Sequence, residues 1–479
     1  MISVRIRLVL GLILLCLNGS SCVDESANLA RFERRVDWIG QGQWLKADTH
    51  IHTEFSDGKH PVSEVIARGV DHGCEVLAVT DHADRALGAA TPEYAEAIEV
   101  ARRQHPGLIL LAGLEWNVPP WGGDEHATVL VPPGPDEFLQ LADFKEKFDD
   151  YDRENHDADL AGEALRWLEE TATSGKVRPV VIYNHPSRKD TRSTENINDV
   201  LLWHEVNDIV VGFSGAPGHQ AGESPGDYEY DESTIDRWDP VVARVGDAWD
   251  TLLQAGIDVW GARAASDFHR VSASGFSDYW PGQFSETWLY VPERTPEGVL
   301  QAFRAGTFFA DHGHIVREAR LTVDSLGLDR PAEAGEVVSA VEGARLTVDV
   351  WGQVPDLDWA GNPNQVDVIE LIAVTSDGAR VVDEAPAEES ELLFSTKLDV
   401  PPGGIVLRAR GRRVIEDGPD LLFYTNPIRV TARHVATGGE FPWRSMTGTQ
   451  LLGLGLCALA VVSLAVSVSQ RMNTSRAEP

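Results

Sequence analysis

Seven short apolar runs set the rhythm of the amino-terminal part of the chain: Trp44–Ala47, Val76–Val79, Leu108–Leu114, Ala127–Val131, Val180–Tyr183, Ile209–Phe213 and Val259–Ala265. Their length fits buried strands. Stretches between them fit helices: Pro61–His72 opens on proline and is closed by Gly73, and Val241–Ala255 carries spaced apolar residues and is closed by Gly256. Strand and helix alternate, which predicts an α/β fold. Two acidic, turn-rich segments, Pro132–Asp159 and Ala216–Asp239, interrupt the alternation. They are expected to be loops over the mouth of the fold, where long connections are often functional.

After His314 the texture changes. Between Ala319 and Val435 come short alternating stretches such as Arg345-Leu-Thr-Val-Asp-Val and Ile405-Val-Leu-Arg-Ala-Arg, separated by Gly, Pro and Asp. A small β-sandwich fits that pattern. The chain ends carry different signals. Arg5 and Arg7 precede the apolar run Leu8–Leu17 and the small residues Gly19, Ser20 and Ser21, which reads as an export signal. Gly19 stands where a lipidated Cys22 would need an apolar residue, so simple cleavage is favoured. Leu451–Ser469 is uncharged and long enough to cross a hydrocarbon layer as a helix, and Arg471 and Arg476 beyond it place the short tail in the cytoplasm.

Charge and cysteines narrow the picture. A formal net charge of −34 repels nucleic-acid phosphates and leaves no basic stripe, so no nucleic-acid partner is expected. Cys16, Cys22, Cys74 and Cys457 include no pair placed to staple a domain.

The candidate chemistry lies at the ends of the runs. Ligand-type residues stand there in six of the seven cases: His50 and His52, His82, Glu115, His126, His185, and Asp267 with His269; Asp57 follows the first pair. Five runs carry them at the C-terminal end, where α/β barrels build their active sites. His126 precedes its run, so that strand is antiparallel or its ligand enters differently. His50 and His52 project to one side of an extended segment and form a chelate. Six imidazoles and three carboxylates exceed what one ion can use, which implies two or three divalent metal ions such as Zn, Mn or Fe. Asp48 and Asp81 are expected to orient imidazole rings, and Arg188, Arg263 and Arg270 to grip substrate oxygens. His60, His72, His105, His156, His204, His219 and His434 are expected on the surface or in packing, and His312 and His314 near the mouth as candidate substrate contacts.

The motifs Asp48-Thr-His-Ile-His-Thr-Glu-Phe-Ser-Asp-Gly, Thr80-Asp-His, Gly113-Leu-Glu, His126, Asn184-His-Pro and Ser266-Asp-Phe-His resemble those of the PHP (polymerase and histidinol phosphatase) superfamily of metal-dependent phosphoesterases, over about Trp44 to His314. The resemblance implies a distorted seven-stranded β/α barrel, which agrees with the seven runs. It also implies one ion on His50, His52, Glu115 and Asp267, a second shared through Glu115 with His126 and His185, and a third on Asp57, His82 and His269. The exported architecture, the closing β-rich region and Tyr424-Thr-Asn-Pro-Ile look more like the metallohydrolase branch that contains carbaryl hydrolase.

The expected organisation is a signal over residues 1–21, a linker over 22–43, the metallohydrolase barrel over 44–316, a β-sandwich over 317–436, a spacer over 437–450, a transmembrane helix over 451–469 and a cytoplasmic tail over 470–479. The expected activity is hydrolysis of a phosphoester by hydroxide bridging the ions, with Glu115, Asp267 and His269 among the ligands that activate water. The same site would serve a carbamate, carboxylic ester or amide hydrolase. From another class, a non-catalytic envelope module stapled by metal is the alternative. The expected partners are a small or phosphorylated substrate and, through the C-terminal helix, a membrane, with the catalytic part outside the cytoplasm.

Overall fold

A computed structural model describes residues 29–434 except residues 85, 120–124, 150–158, 172–176, 189–202, 217, 220–225, 229–232 and 273–276. The expected export signal and the apolar Leu451–Ser469 segment lie outside the described residues. Among the described residues no helix is long and apolar enough to cross a membrane.

In chain order the described elements begin with β1 (Arg31–Arg34), β2 (Gln43–Asp48), α1 (Val62–Asp71), β3 (Val76–Val79), α2 (Pro92–Gln104), β4 (Ile109–Asn117), β5 (His126–Leu130), α3 (Glu137–Phe148) and α4 (Asp159–Thr171). There follow β6 (Val180–Tyr183), β7 (Val210–Phe213), α5 (Pro240–Ala243), α6 (Ala248–Gln254), β8 (Ser285–Val291), α7 (Pro296–Ala305) and β9 (Phe308–His312). The remainder is strands: β10 (Arg317–Ser325), β11 (Ala332–Glu333), β12 (Val337–Val341), β13 (Arg345–Gln353), β14 (Val368–Thr375), β15 (Gly378–Pro386), β16 (Leu392–Asp399), β17 (Ile405–Arg413), β18 (Leu421–Thr425) and β19 (Ile428–Arg433).

Six of the seven apolar runs become β2–β7. Strands β3–β7 are buried along their whole length, which is why they read as continuous apolar runs rather than alternating ones. β2, β3 and β4 are parallel, β5 is antiparallel to both β4 and β6, and β6 and β7 are parallel again. The reversal of β5 explains His126: the start of a reversed strand lies at the edge where its neighbours end. The seventh run forms no regular strand. It makes isolated bridges from Trp260 to Gly212 and from Ala264 to Ala216, and Phe268 bridges Ile51. Six regular strands and one irregular segment held by isolated bridges therefore stand where a seven-stranded β/α barrel was expected. The segment lies close against its neighbour, since a Cβ on Gly215 would meet the Gly261 carbonyl oxygen at 2.4 Å.

Two further expectations are corrected. Val241–Ala255 is not one helix but two, α5 and α6. Gly246 turns the chain at φ +91°, and Asp247 restarts the helix by accepting from Ala248 N at 2.7 Å. The acidic segment Pro132–Asp159, expected as a loop, contains α3. The acidic, turn-rich flanks of the segment hid a helical stripe of Leu141, Phe144 and Phe148, all buried, and Trp116 Nε1 donates to the Phe148 carbonyl at 2.8 Å.

The ladder continues from β2 through β8, β9, β18, β17, β19 and β12 to β1. β1 falls in the stretch expected as linker and pairs antiparallel with β12. A second sheet, in the order β11-β10-β13-β16, lies against this extension. Leu321, Val323, Leu346 and Val348 of the second sheet share one apolar cluster with Leu371, Leu407, Ala409 and Phe423 of the first. The β-rich region is thus built on a layer that it shares with the α/β region.

Candidate metal centre

Glu115 stands near the C-terminal end of β4, and the other ligand-type residues arrive around it from strand ends and loops. His50 and His52 leave β2, His82 leaves β3, His126 opens β5, His185 leaves β6, and Asp267 and His269 follow the irregular segment. Two of these residues sit in the left-handed region without being glycine, His185 at φ 27° and Asp267 at φ 46°. Such backbone persists only where its surroundings fix it, at about 1–3 kcal/mol each, and it gathers at functional sites.

All nine side chains converge. Glu115 Oε1 lies 3.1 Å from His50 Nε2, 3.3 Å from His126 Nδ1 and 3.2 Å from His185 Nε2. Its other oxygen lies 3.0 Å from His52 Nε2 and 3.4 Å from His82 Nε2. Asp267 Oδ1 is 3.3 Å from His50 Nε2 and 3.2 Å from His52 Nε2. Asp57, half exposed, reaches His52 Nδ1 at 3.3 Å and His269 Nε2 at 3.2 Å. Three groups here could hold ions: His50, His52, Glu115 and Asp267; His82, Glu115 and His126; and His52, Asp57, His82 and His269. The first is the set that the sequence resemblance implied. The other two differ from it by drawing in His82 and His52, while His185 touches Glu115.

The donor set fits divalent cations. With ligand bonds of about 2.0–2.1 Å, neighbouring ligand atoms around one ion stand roughly 2.9–3.4 Å apart, the range found here between imidazole nitrogens and carboxylate oxygens. Charge points the same way. Burial alone would raise the pKa of Glu115, yet the neighbouring imidazoles, His50 and then His126 foremost, hold it well below the usual carboxylate range. Asp267 is likewise held low by His50 and His52 against its burial, and Asp57 by His269 and His52. Burial opposes a charge on His52, but Asp267, Asp57 and Glu115 raise its pKa well above the histidine norm. A proton at His52 thus sits among ionised carboxylates where a cation would sit, and metal binding would release it. His82 is kept neutral by burial, and His185 is pushed down to about 3 by burial and then by the Arg188 charge. Both offer lone pairs at neutral pH.

The surrounding contacts revise several assignments. Asn184 Nδ2 donates to Glu115 Oε1 at 2.8 Å, and Asn184 Oδ1 accepts from Thr128 Oγ1 at 3.0 Å and from Arg263 Nη1 at 3.2 Å. Arg263 was expected to grip substrate, but it is fully buried and its guanidinium also donates to the Thr49 carbonyl at 2.9 Å. It positions Asn184 instead. Asp48 and Asp81 were expected to orient rings. Asp48 instead accepts backbone N–H groups of Ser266, His50 and Gly282, and Asp81 accepts from Thr53 N, Thr53 Oγ1 and Ser56 Oγ. Only through Ser56 Oγ, 3.3 Å from His52 Nδ1, does Asp81 bear on a ring. Arg188 and Arg270 are half-buried; Arg188 Nη2 lies 3.4 Å from His126 Nδ1, while Arg270 is tied by its backbone N–H to Asp278. His312 is buried in a stack on Trp238, and His314 Nε2 lies within hydrogen-bond distance of both Lys46 Nζ and the Gly282 carbonyl, one of which it can bond, so packing accounts for both histidines.

Sequence reasoning missed His219 and Asp278. The His219 ring stacks on His269 with centroids 3.8 Å apart, and its Nδ1 is 2.7 Å from Asp278 Oδ1. Asp278 Oδ2 accepts the backbone N–H of His269 at 2.7 Å. With His269 they form a fourth group that could hold an ion. His219 lies in an acidic segment with no motif around it, so nothing local marked it. Asn184 was legible, as the neighbour of His185 in its turn.

A family model described as PHP domain matches residues 48–177, which include His50, His52, Asp57, His82, Glu115 and His126. Comparison with curated proteins gives no match. Among solved structures the chain is similar to a two-domain protein of Bacteroides vulgatus containing a predicted PHP-like metal-dependent phosphoesterase, with 12% identity, TM-score 0.39, and coverage of 84% of this chain and 98% of that one. It is also similar to an amidohydrolase from Chromobacterium violaceum, with 18% identity, TM-score 0.25, and coverage of 36% and 76% respectively. The PHP domain match and the clustered His, Asp and Glu side chains support a metal-dependent hydrolase.

Proposed function

We propose that the chain is a phosphoesterase that uses two or three divalent ions held by His50, His52, Asp57, His82, Glu115, His126, His185, Asp267 and His269. The observation that carries this reading is the convergence of five imidazoles on the two oxygens of one buried carboxylate, Glu115. Bound ions supply Lewis acidity and ionise a coordinated water near neutral pH. The chain's own part is positioning. Asn184 fixes the Glu115 carboxylate, Arg263 fixes Asn184, and Asp81 with Ser56 fixes the turn that carries Asp57. Arg188, beside His126, places a fixed positive charge where a phosphoryl oxygen would need one.

One observation favours a second reading. Burial of Arg263 removes one of the three arginines expected to hold a phosphate, and a carbamate, ester or amide needs fewer cations. The branch containing carbaryl hydrolase, suggested by the sequence, fits that case. The signals read at residues 1–21 and 451–469 support an exported, membrane-tethered enzyme acting on a small substrate, with no nucleic-acid partner.

Nitrophenyl phosphates and nitrophenyl esters assayed with added Mn²⁺ or Zn²⁺ separate the readings. Phosphate turnover is expected; turnover of esters alone would defeat the phosphoesterase assignment, and metal-loaded protein inert on both would favour a non-catalytic module. Arg188→Gln is expected to raise KM for the phosphate about tenfold, the worth of ~1.4 kcal/mol, within the range for a charged hydrogen bond. KM for a neutral ester should stay unchanged. In the metal-free protein the same substitution should let the His185 pKa climb from about 3, with burial still holding it below the histidine norm. NMR titration of His185 checks this.

A further inference from the structure

The irregular segment from Val259 to Phe268 delivers Asp267 and His269 to the centre, yet it lacks an ordinary strand's two ladders. Toward β7 its bonds are backbone ones: Trp260 N donates to the Val211 carbonyl at 3.0 Å, Phe213 N to that of Trp260 at 3.1 Å, and Gly215 N to that of Arg263 at 2.8 Å. Three further amides, two residues apart, end on side chains. Ala262 N donates to Asn426 Oδ1 at 3.2 Å, Ala264 N to Thr287 Oγ1 at 3.0 Å, and Ser266 N to Asp48 Oδ2 at 3.0 Å. The Thr287 hydroxyl returns a bond to the Ala264 carbonyl at 2.7 Å. All three side chains are buried: Asp48 belongs to β2, Thr287 to β8, and Asn426 to the turn between β18 and β19.

We infer that Asn426, Thr287 and Asp48 form a side-chain ladder that sets the register of this segment, and that the β-rich region, through Asn426, is a working part of the metal centre. Spacing by two residues is what a neighbouring strand's carbonyls would supply; here three side chains from separate elements supply it. A one-residue slip would swing Asp267 and His269 away from His50, His52 and Asp57. Asn426 is itself anchored, since its Nδ2 donates to the carbonyls of Gly306 and Phe308 at 3.2 Å each. The turn after β18 thereby reaches past β9 to the segment that carries the ligands. These are positioning residues, and they touch no ligand atom.

The inference uses the proposed metal-ligand reading for one arm of its test only. Full-length Thr287→Val, its conservative control Thr287→Ser, and Asn426→Ala are compared with the parent chain. Amide hydrogen exchange is followed in the metal-free state, and Mn²⁺ or Zn²⁺ retention is measured by chelator competition. Thr287→Val and Asn426→Ala should speed exchange at Ala264 and Ala262 respectively and weaken retention of at least one ion about tenfold, as loss of support around metal ligands commonly does. Thr287→Ser should restore both. Retention equal to the parent's in both variants, or faster exchange spread evenly over the chain, would overturn the inference. If the parent chain itself holds no metal, the functional reading fails, and the exchange arm still decides: unchanged protection at Ala262 and Ala264 overturns the ladder, and selective loss supports it.

Discussion

Glu115→Gln is expected to empty the two candidate ion groups that share Glu115 and to lower hydrolytic activity on the order of 10³-fold or more. The substitution keeps shape and removes charge. Both Glu115 oxygens face imidazole nitrogens at 3.0–3.4 Å, and Oε1 also accepts from Asn184. A glutamine would present an amide nitrogen, which is no ligand, at one of those two positions. The groups left behind, six imidazoles with Asp267 and Asp57, lack the anion that the first and second candidate groups share. Charge stabilisation by a bound ion is worth several kcal/mol, and about 4 kcal/mol corresponds to the stated loss. Elemental analysis of the purified protein beside the activity assay makes the measurement, with circular dichroism showing that the fold persists. A glutamine variant with parental metal content and more than a tenth of parental activity would remove Glu115 from the centre and take the reading of the site with it.

How much of this could be seen in the chain follows from what each feature depends on. The buried strands β3–β7 were legible because burial on both faces makes an uninterrupted apolar run, and the ligand positions because they cluster at the ends of those runs. α3 was not legible: the acidic composition of the whole segment, set by its flanks, outweighed the spacing of Leu141, Phe144 and Phe148. The irregularity of Val259–Ala265 was not legible either. It reads as an apolar run of strand length, and what it lacks on one side is a neighbour's carbonyls, a property of the partner rather than of the segment. Arg263 shows the limit for single residues. Nearness in sequence to Asp267 suggested the mouth of the site, but its side chain runs beneath the ligands to Thr49 and Asn184, more than two hundred and about eighty residues away in sequence respectively. His219 and Asp278 find each other across 59 residues, and no local pattern announces such a pair.

Arg408→Met is expected to destabilise the protein by about 3–5 kcal/mol, the usual consequence of removing one partner of a buried ion pair. Arg408 on β17 donates through Nε and Nη2 to the two carboxylate oxygens of Asp250 on α6, both at 2.8 Å, and neither residue is more than 2% exposed. Its guanidinium also lies over the Trp249 ring, 4.6 Å from the centroid. Methionine would fill the space and leave the Asp250 carboxylate in an apolar place, still accepting from Gly246 N but without its counter-charge. The size of the effect comes from that stranded charge more than from the lost attraction. It follows that Arg408→Met combined with Asp250→Leu should recover much of the loss, because replacing both ions by apolar groups avoids stranding either. Urea unfolding of the two single variants, the double variant and the parent, all metal-free, closes the cycle. A single variant within about 1 kcal/mol of the parent would contradict the burial of the pair. Trp249 also packs where a side chain on Gly261 would stand, so the pair braces the irregular segment from below. Arg408→Met should therefore also weaken metal retention, and Arg408→Met/Asp250→Leu should recover retention only as far as Trp249 keeps its place.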